Sequence, residues 1–277
     1  MKLPSAKHWI FALSFMFLLI APHGRALATV VASANANGVV LIDSGSKLLA
    51  HEESSHTGVQ DRSFARATAQ YGITKATTGG AASGSGNAFS GRYTQWTDVI
   101  AFNSPSLTGE KGQATLGFSY GYLIDSSALA EGKRAHVQFV MAATVNVNSS
   151  EYSNFVIANS TNKGSSIDVD VVQRRSDVNG NSDQITPHFL YLTTDFIWGT
   201  PFTLDVKMAV NGRTLAAGTQ DLASYELDAS QSGYWAGAMN VSSNGLPVSD
   251  FTIYGESGTN YTNSFVPQQV EVPEPST

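Results

Sequence analysis

Hydrophobic and polar residues alternate with a period of two along much of the chain. From Thr115, the stretch TLGFSYGYLI sets Leu116, Phe118, Tyr120, Tyr122 and Ile124 on one face and Thr115, Gly117, Ser119 and Gly121 on the other. That is the pattern of a strand with one bulky and one small face. Val137, Phe139, Met141, Ala143, Val145 and Val147 alternate in the same way with Gln138, Val140, Ala142, Thr144 and Asn146. So do Ile167, Val169 and Val171 with Asp168, Asp170 and Val172, and Phe202, Leu204, Val206, Met208 and Val210 with Thr203, Asp205, Lys207 and Ala209. Each segment predicts a half-buried strand of an antiparallel sheet with one solvated face.

Asn179-Gly180 and Asn211-Gly212 fit type I′ hairpin turns, which need positive φ at both central residues. The pattern shows no long amphipathic helix; Asp61–Tyr71 predicts one short helix and Asp125–Glu131, with Asp125 as N-cap, another. Thr77 to Gly91, TTGGAASGSGNAFSG, reads as a flexible Gly/Ser-rich loop. Many short strands broken by Gly, Asn and Ser predict an all-β chain, an antiparallel β-sandwich of jelly-roll-like form. The expected organisation is one sandwich domain over residues 29–265 with the 77–91 loop inside it, followed by an extended, proline-rich tail over 266–277.

The N-terminal segment departs from this alternation. MKLPSAKHWIFALSFMFLLIAPHGRALA has two lysines, then an apolar run from Trp9 to Ala21 broken only by Ser14. The run is shorter than the roughly 20 residues that span a bilayer, and Ala26 and Ala28 form an A-x-A cleavage site. Residues 1–28 are therefore read as a secretory signal peptide cut after Ala28, with Ala34-Asn35-Ala36 as a second site. Cleavage after Ala28 removes Lys2, Lys7 and Arg25, leaving 13 basic and 22 acidic residues, a formal net charge of −9. That balance argues against nucleic acid as a partner, since such binding rests on basic patches. An exported chain could carry disulfides, but this one has no cysteine, so its stability must come from an ordinary packed core.

Candidate chemistry is sparse. Gly117-Phe118-Ser119-Tyr120-Gly121 matches G-x-S-x-G, with Asp168 and His188 following in hydrolase order, yet a nucleophile elbow requires a strand, a sharp turn and a helix. Here strand alternation runs through the serine, so no catalysis is expected. His51 and His56 are five residues apart, which would place them about 140° apart on a helix; the segment reads as a solvated polar loop. Asp177, Asn179, Asn181 and Asp183 offer oxygen ligands at alternate positions, as calcium prefers. Glycine stands fourth rather than sixth, and the twelfth residue is His188 rather than Glu, so the plain hairpin tip competes with a calcium loop and no other cofactor is expected. Trp96, Trp198, Tyr234 and Trp235 are the candidate glycan contacts, on the condition that several of these rings share an exposed face.

The tail adds a further clue. Val272-Pro273-Glu274-Pro275, followed by Ser276-Thr277, resembles the opening of the PEP-CTERM sorting signal of exported proteins from Gram-negative bacteria that make extracellular polysaccharide. TQWTDVIAFNSPSLTGEKGQATLGFSYGYL (94–123) and GYWAGAMNVSSNGLPVSDFTIYGESGTNYTNSF (233–265) are similar to segments of such proteins. In that family a hydrophobic helix and an arginine cluster follow the motif, and an exosortase processes the tail. Neither follows Thr277, so the expectation is a chain cut short after the motif, or a freely released variant. The resemblance implies a protein of the cell surface or extracellular matrix, with a structural or binding role in biofilm or exopolysaccharide. Its partners would be extracellular polysaccharide or other surface proteins, and an exosortase where the full signal is present. The alternative is a carbohydrate-binding module or adhesin with a glycan or calcium site.

Overall fold

A computed structural model describes residues 28–36, 39–45, 49–56, 62–83, 88–128, 134–147, 150–162, 167–176, 189–215, 222–229 and 233–266. Among these residues every regular element is a strand. In chain order they are β1 (Thr29–Ala36), β2 (Val39–Gly45), β3 (Leu49–His56), β4 (Arg62–Gln70), β5 (Ile73–Ser83), β6 (Phe89–Asn103), β7 (Lys111–Ser119), β8 (Leu123–Ala128), β9 (Arg134–Val147), β10 (Ser150–Asn162), β11 (Ile167–Ser176), β12 (Phe189–Ile197), β13 (Phe202–Leu215), β14 (Leu222–Ala229), β15 (Tyr234–Ser243), β16 (Leu246–Pro247) and β17 (Thr252–Gly255).

Two antiparallel sheets pack face to face as a β-sandwich. The first runs β11-β10-β9-β13-β6-β1-β2. The 15 residues of β6 are its spine: β13 pairs along one edge, while β1 and then β17 share the other. The second sheet runs β12-β7-β15-β5-β14-β8, with β4 on the free edge of β5, β3 beside β4, and β16 beside β15. The alternation explains which face each strand turns inward. Phe202, Leu204, Val206, Met208 and Val210 of β13 are all buried, as are Val137, Phe139, Met141, Ala143, Val145 and Val147 of β9.

One end of the interior is aromatic. Phe102 of β6 stacks on Phe196 at a centroid distance of 4.3 Å and on Phe202 at 6.1 Å, with Trp198 set edge-on at 6.1 Å and Phe251 tilted at 5.8 Å. The other end is lined by small and polar residues. There β6 turns Ser90, Arg92 and Thr94 inward, opposite Ser63, Ala65 and Ala67 of β4 and Ala76, Thr78 and Ala82 of β5, all buried.

Several sequence expectations are corrected here. Asp61–Tyr71 is not a helix, because Ser63, Ala65, Ala67 and Ala69 alternate and are buried under the first sheet as the inner face of β4. Asp125–Glu131 does not begin a helix either; Leu123–Ala128 is β8, paired with β14. Most of the supposed 77–91 loop belongs to β5 and to the start of β6. Its glycines make room for rings: a Cβ on Gly80 would lie 2.8 Å from the ring and hydroxyl of Tyr225. Asn211-Gly212 is no turn but the interior of β13, paired on both sides, and Gly212 takes the same Tyr225 ring from the facing sheet. His51 and His56 lie in β3 and not in a loop. Asn179-Gly180 falls outside the described residues.

Candidate binding surface

None of the four rings expected to stack on a glycan is exposed, which corrects that expectation: the three tryptophans belong to the core and Tyr234 is covered. Trp96, Trp198 and Trp235 are 0% exposed and Tyr234 is 5% exposed. Trp96 packs on Tyr261 at 5.7 Å, and Trp235 meets Phe118 and Tyr261 edge-on at 5.5 and 5.6 Å. The Trp235 indole N–H donates to the Tyr261 carbonyl at 2.9 Å. Rings of this size are held inside because burying them removes a large apolar area from water.

These contacts belong to a clasp that ties residues 251–265 to β6. Asp98 faces inward from β6 and is buried. Its carboxylate accepts from the backbone N–H of Val99 (2.9 Å) and of Ser257 (3.2 Å), from the Ser257 hydroxyl (2.5 Å) and from the Tyr261 hydroxyl (3.0 Å). A buried carboxylate needs such donors, because desolvation without them is costly. Gly255 leaves space for the carboxylate, which would collide with any Cβ there. Burial, and then the adjacent Asp98, push the Tyr261 hydroxyl well above the ordinary tyrosine value, so it stays protonated and donates. The 94–123 and 233–265 stretches, far apart in sequence, thus meet in one clasp.

Ser119 is the last residue of β7 and is paired on both sides, with Phe189 of β12 and Tyr234 of β15. The chain continues through residues 120–122 into β8 with no helix, so the strand–turn–helix setting of a nucleophile elbow is absent at this serine. Asp168 is in β11. His188, the calcium candidates Asp177, Asn179, Asn181 and Asp183, the cleavage-site residue Ala26 and the motif residues Val272, Pro273, Glu274 and Pro275 lie outside the described residues. Ala28 immediately precedes β1. Among the described residues no three His, Asp or Glu side chains group as a metal site, and no helix is long and apolar enough to cross a membrane.

The feature that most resembles a binding surface lies on the outer face of the second sheet, across β4, β5 and β14. It is an open groove of about 550 Å³. Its floor follows from strand register: Phe64 is opposite Gly79, which is opposite Glu226; Arg66 is opposite Thr77, which is opposite Asp228; Thr68 is opposite Lys75. Gly79 has no side chain, so the Phe64 ring occupies the space where its Cβ would be. The Thr77 hydroxyl donates to Asp228 Oδ1 at 3.0 Å, and Lys75 Nζ stands 5.3 Å from the centroid of Tyr234, a cation–π distance. An aromatic ring thus shares one face of three neighbouring strands with two cationic side chains and two carboxylates.

The groove is not legible in the local sequence pattern, which assigns Phe64, Arg66 and Thr68 to a helix and Thr77 and Gly79 to a loop. The available clue was the alternation in RSFARATAQ, with small residues at 63, 65, 67 and 69 and large or polar ones between. Comparison of the chain with protein-family models, with characterised proteins and with solved structures finds no match.

Proposed function

We propose that the chain is an exported protein of PEP-CTERM type with a structural or binding role in an extracellular polysaccharide matrix, and that it performs no catalysis. The observation carrying this reading is the coincidence of a secretory leader and a VPEP motif on opposite sides of a cysteine-free antiparallel sandwich. Such a sandwich can serve as a scaffold that presents its outer faces to other molecules, but fold alone does not specify the role. The position of β1 supports cleavage after Ala28. That cut leaves β1 whole, whereas a cut after Ala36 would remove a strand paired along its length with β6, together with buried Val30, Ala32 and Ala36.

A second reading, a carbohydrate-binding module or adhesin, is favoured by the groove across β4, β5 and β14. The two readings agree on location and differ on whether one defined subsite dominates. The test is to produce the tagged chain in a Gram-negative host that forms exopolysaccharide and carries an exosortase, then fractionate the culture. Recovery in the matrix with Thr29 as the first residue is the expected result. Accumulation inside the cell, or complete release into the medium with no matrix-bound fraction, would overturn the proposal.

A further inference from the structure

We infer that the outer groove centred on Phe64 is a subsite for uncharged pyranose units of a polysaccharide, an inference that rests on the matrix-binding reading above. Three features of the site point to that chemistry. First, Gly79 lets the Phe64 ring settle low on the sheet, half-buried between its neighbours, which leaves an apolar surface suited to the C–H face of a sugar ring. Second, the polar groups around it are of both kinds. Arg66 and Lys75 can only donate, Glu226 and Asp228 accept, and Thr68 and Thr77 do both. A ring bearing hydroxyl groups on adjacent carbons offers both donors and acceptors to such a mixed set, whereas a flat apolar ligand offers neither.

Third, the charges balance. Two cations and two carboxylates line the groove, so a polyanion such as an alginate would meet the Glu226 and Asp228 carboxylates and a polycation would meet Arg66 and Lys75. A neutral sugar meets neither penalty. The groove is open and its volume falls within the range of small-molecule sites, which suits internal units of a chain as well as its ends. The strands beneath are paired in continuous register, so the site is carried on rigid backbone and is formed before the sugar arrives.

The experiment is affinity gel electrophoresis of the full chain through gels containing hydroxyethylcellulose, laminarin or galactomannan as neutral polymers, and alginate or chitosan as charged ones. The expected result is retardation by at least one neutral polymer, with dissociation constants raised about ten-fold in Phe64→Ala and several-fold in Glu226→Gln. Glu226 is exposed, so the second variant tests the site without disturbing the core. Unchanged retardation of both variants would overturn the subsite while leaving the matrix role intact. Retardation by alginate or chitosan alone, or by no polymer, would also overturn the subsite. Failure of the chain to reach the matrix in the fractionation test would instead remove the reading on which the subsite rests.

Discussion

The two ends of the sandwich interior share strands yet are built by different means. β6 contributes Trp96, Ile100 and Phe102 to one end and Ser90, Arg92 and Thr94 to the other; β13 contributes Phe202 and Leu204 to the first and Gly212 and Thr214 to the second. At the aromatic end, rings fill the space between sheets, and their area removed from water is the stabilising quantity. At the small-residue end, side chains are too short for that, so the layers draw together. Cα atoms of β5 and β6, of β4 and β6, and of β5 and β13 come within 8 Å of one another, closer than the ~10 Å usual for stacked sheets.

Direct hydrogen bonding becomes available at that separation. Ser90 Oγ lies 3.0 Å from the Gly79 carbonyl oxygen of the facing sheet, 2.5 Å from Thr78 Oγ1 and 2.7 Å from the Tyr225 hydroxyl. Tyr225 is a large ring among these short side chains, and it fits because Gly80 and Gly212 face it from the two layers. Thr214 closes the end by accepting from the Ala88 backbone N–H at 3.0 Å. The contrast teaches that one strand can change its source of stability along its length, from buried area to close approach with hydrogen bonds between the layers.

The contrast can be broken most severely at the aromatic end. Phe102→Ala removes the ring shared by Phe196, Trp198, Phe202 and Phe251 and should lower the stability read from urea unfolding by about 3–5 kcal/mol. At the other end the damaging change is an addition. Gly212→Ala drives a Cβ into Tyr225, whose ring is held by its bond to Ser90, and should cost about 1–3 kcal/mol. In a Tyr225→Ala background the same substitution should cost much less, and a double-mutant cycle by urea melts measures that coupling. An unchanged cost in that background would show that the glycine serves some purpose other than room for the ring.

Tyr225→Phe keeps the packing and deletes one hydrogen bond, for an expected loss of about 1 kcal/mol by thermal or urea unfolding. The smallest effect concerns pH. Burial pushes the hydroxyls of Tyr93, Tyr225 and Tyr261 above the ordinary tyrosine value; Asp205 and Asp98 add to this for Tyr93 and Tyr261, while the bond to Ser90 partly offsets it for Tyr225. Because the folded values are raised, their contribution is complete below the unfolded value of about 10 and is lost progressively as pH rises from there toward the raised folded values. The urea midpoint should therefore fall above about pH 10, less steeply in Tyr225→Phe, while Phe102→Ala leaves that slope unchanged.

The same contrast accounts for what could be read from sequence. β7, β9, β11 and β13 are legible because bulky apolar residues mark every second position. β4 and β5 carry the same period in alanine, serine, threonine and glycine, residues that also suit helices and loops, so local composition pointed elsewhere and long-range pairing decided the outcome. Gly212 read as a turn because its partner, Tyr225, is remote in sequence. The candidate site was lost with β4 and β5, since register across three strands is what assembles it. The tryptophans were visible as residues, but burial is a property of the assembled layers and only the two-sheet arrangement assigns them to the core.

The Asp98 clasp also imposes an order on folding. Its donors Ser257 and Tyr261 stand 159 and 163 residues further along the chain, so the entropy of closing a very long loop is lost before those bonds are gained. Until that closure Asp98 has only the N–H of its own neighbour, Val99, among its four donors, and a carboxylate so placed favours staying hydrated over entering a dry interior. Strands β1 and β13 can find β6 earlier, but the part of β6 beyond Trp96 gains its full set of neighbours only when β17 arrives. Closure of the clasp is then a late, slow step, and a chain held open at its C-terminal end should remain loose around Asp98 however well its remaining strands have paired.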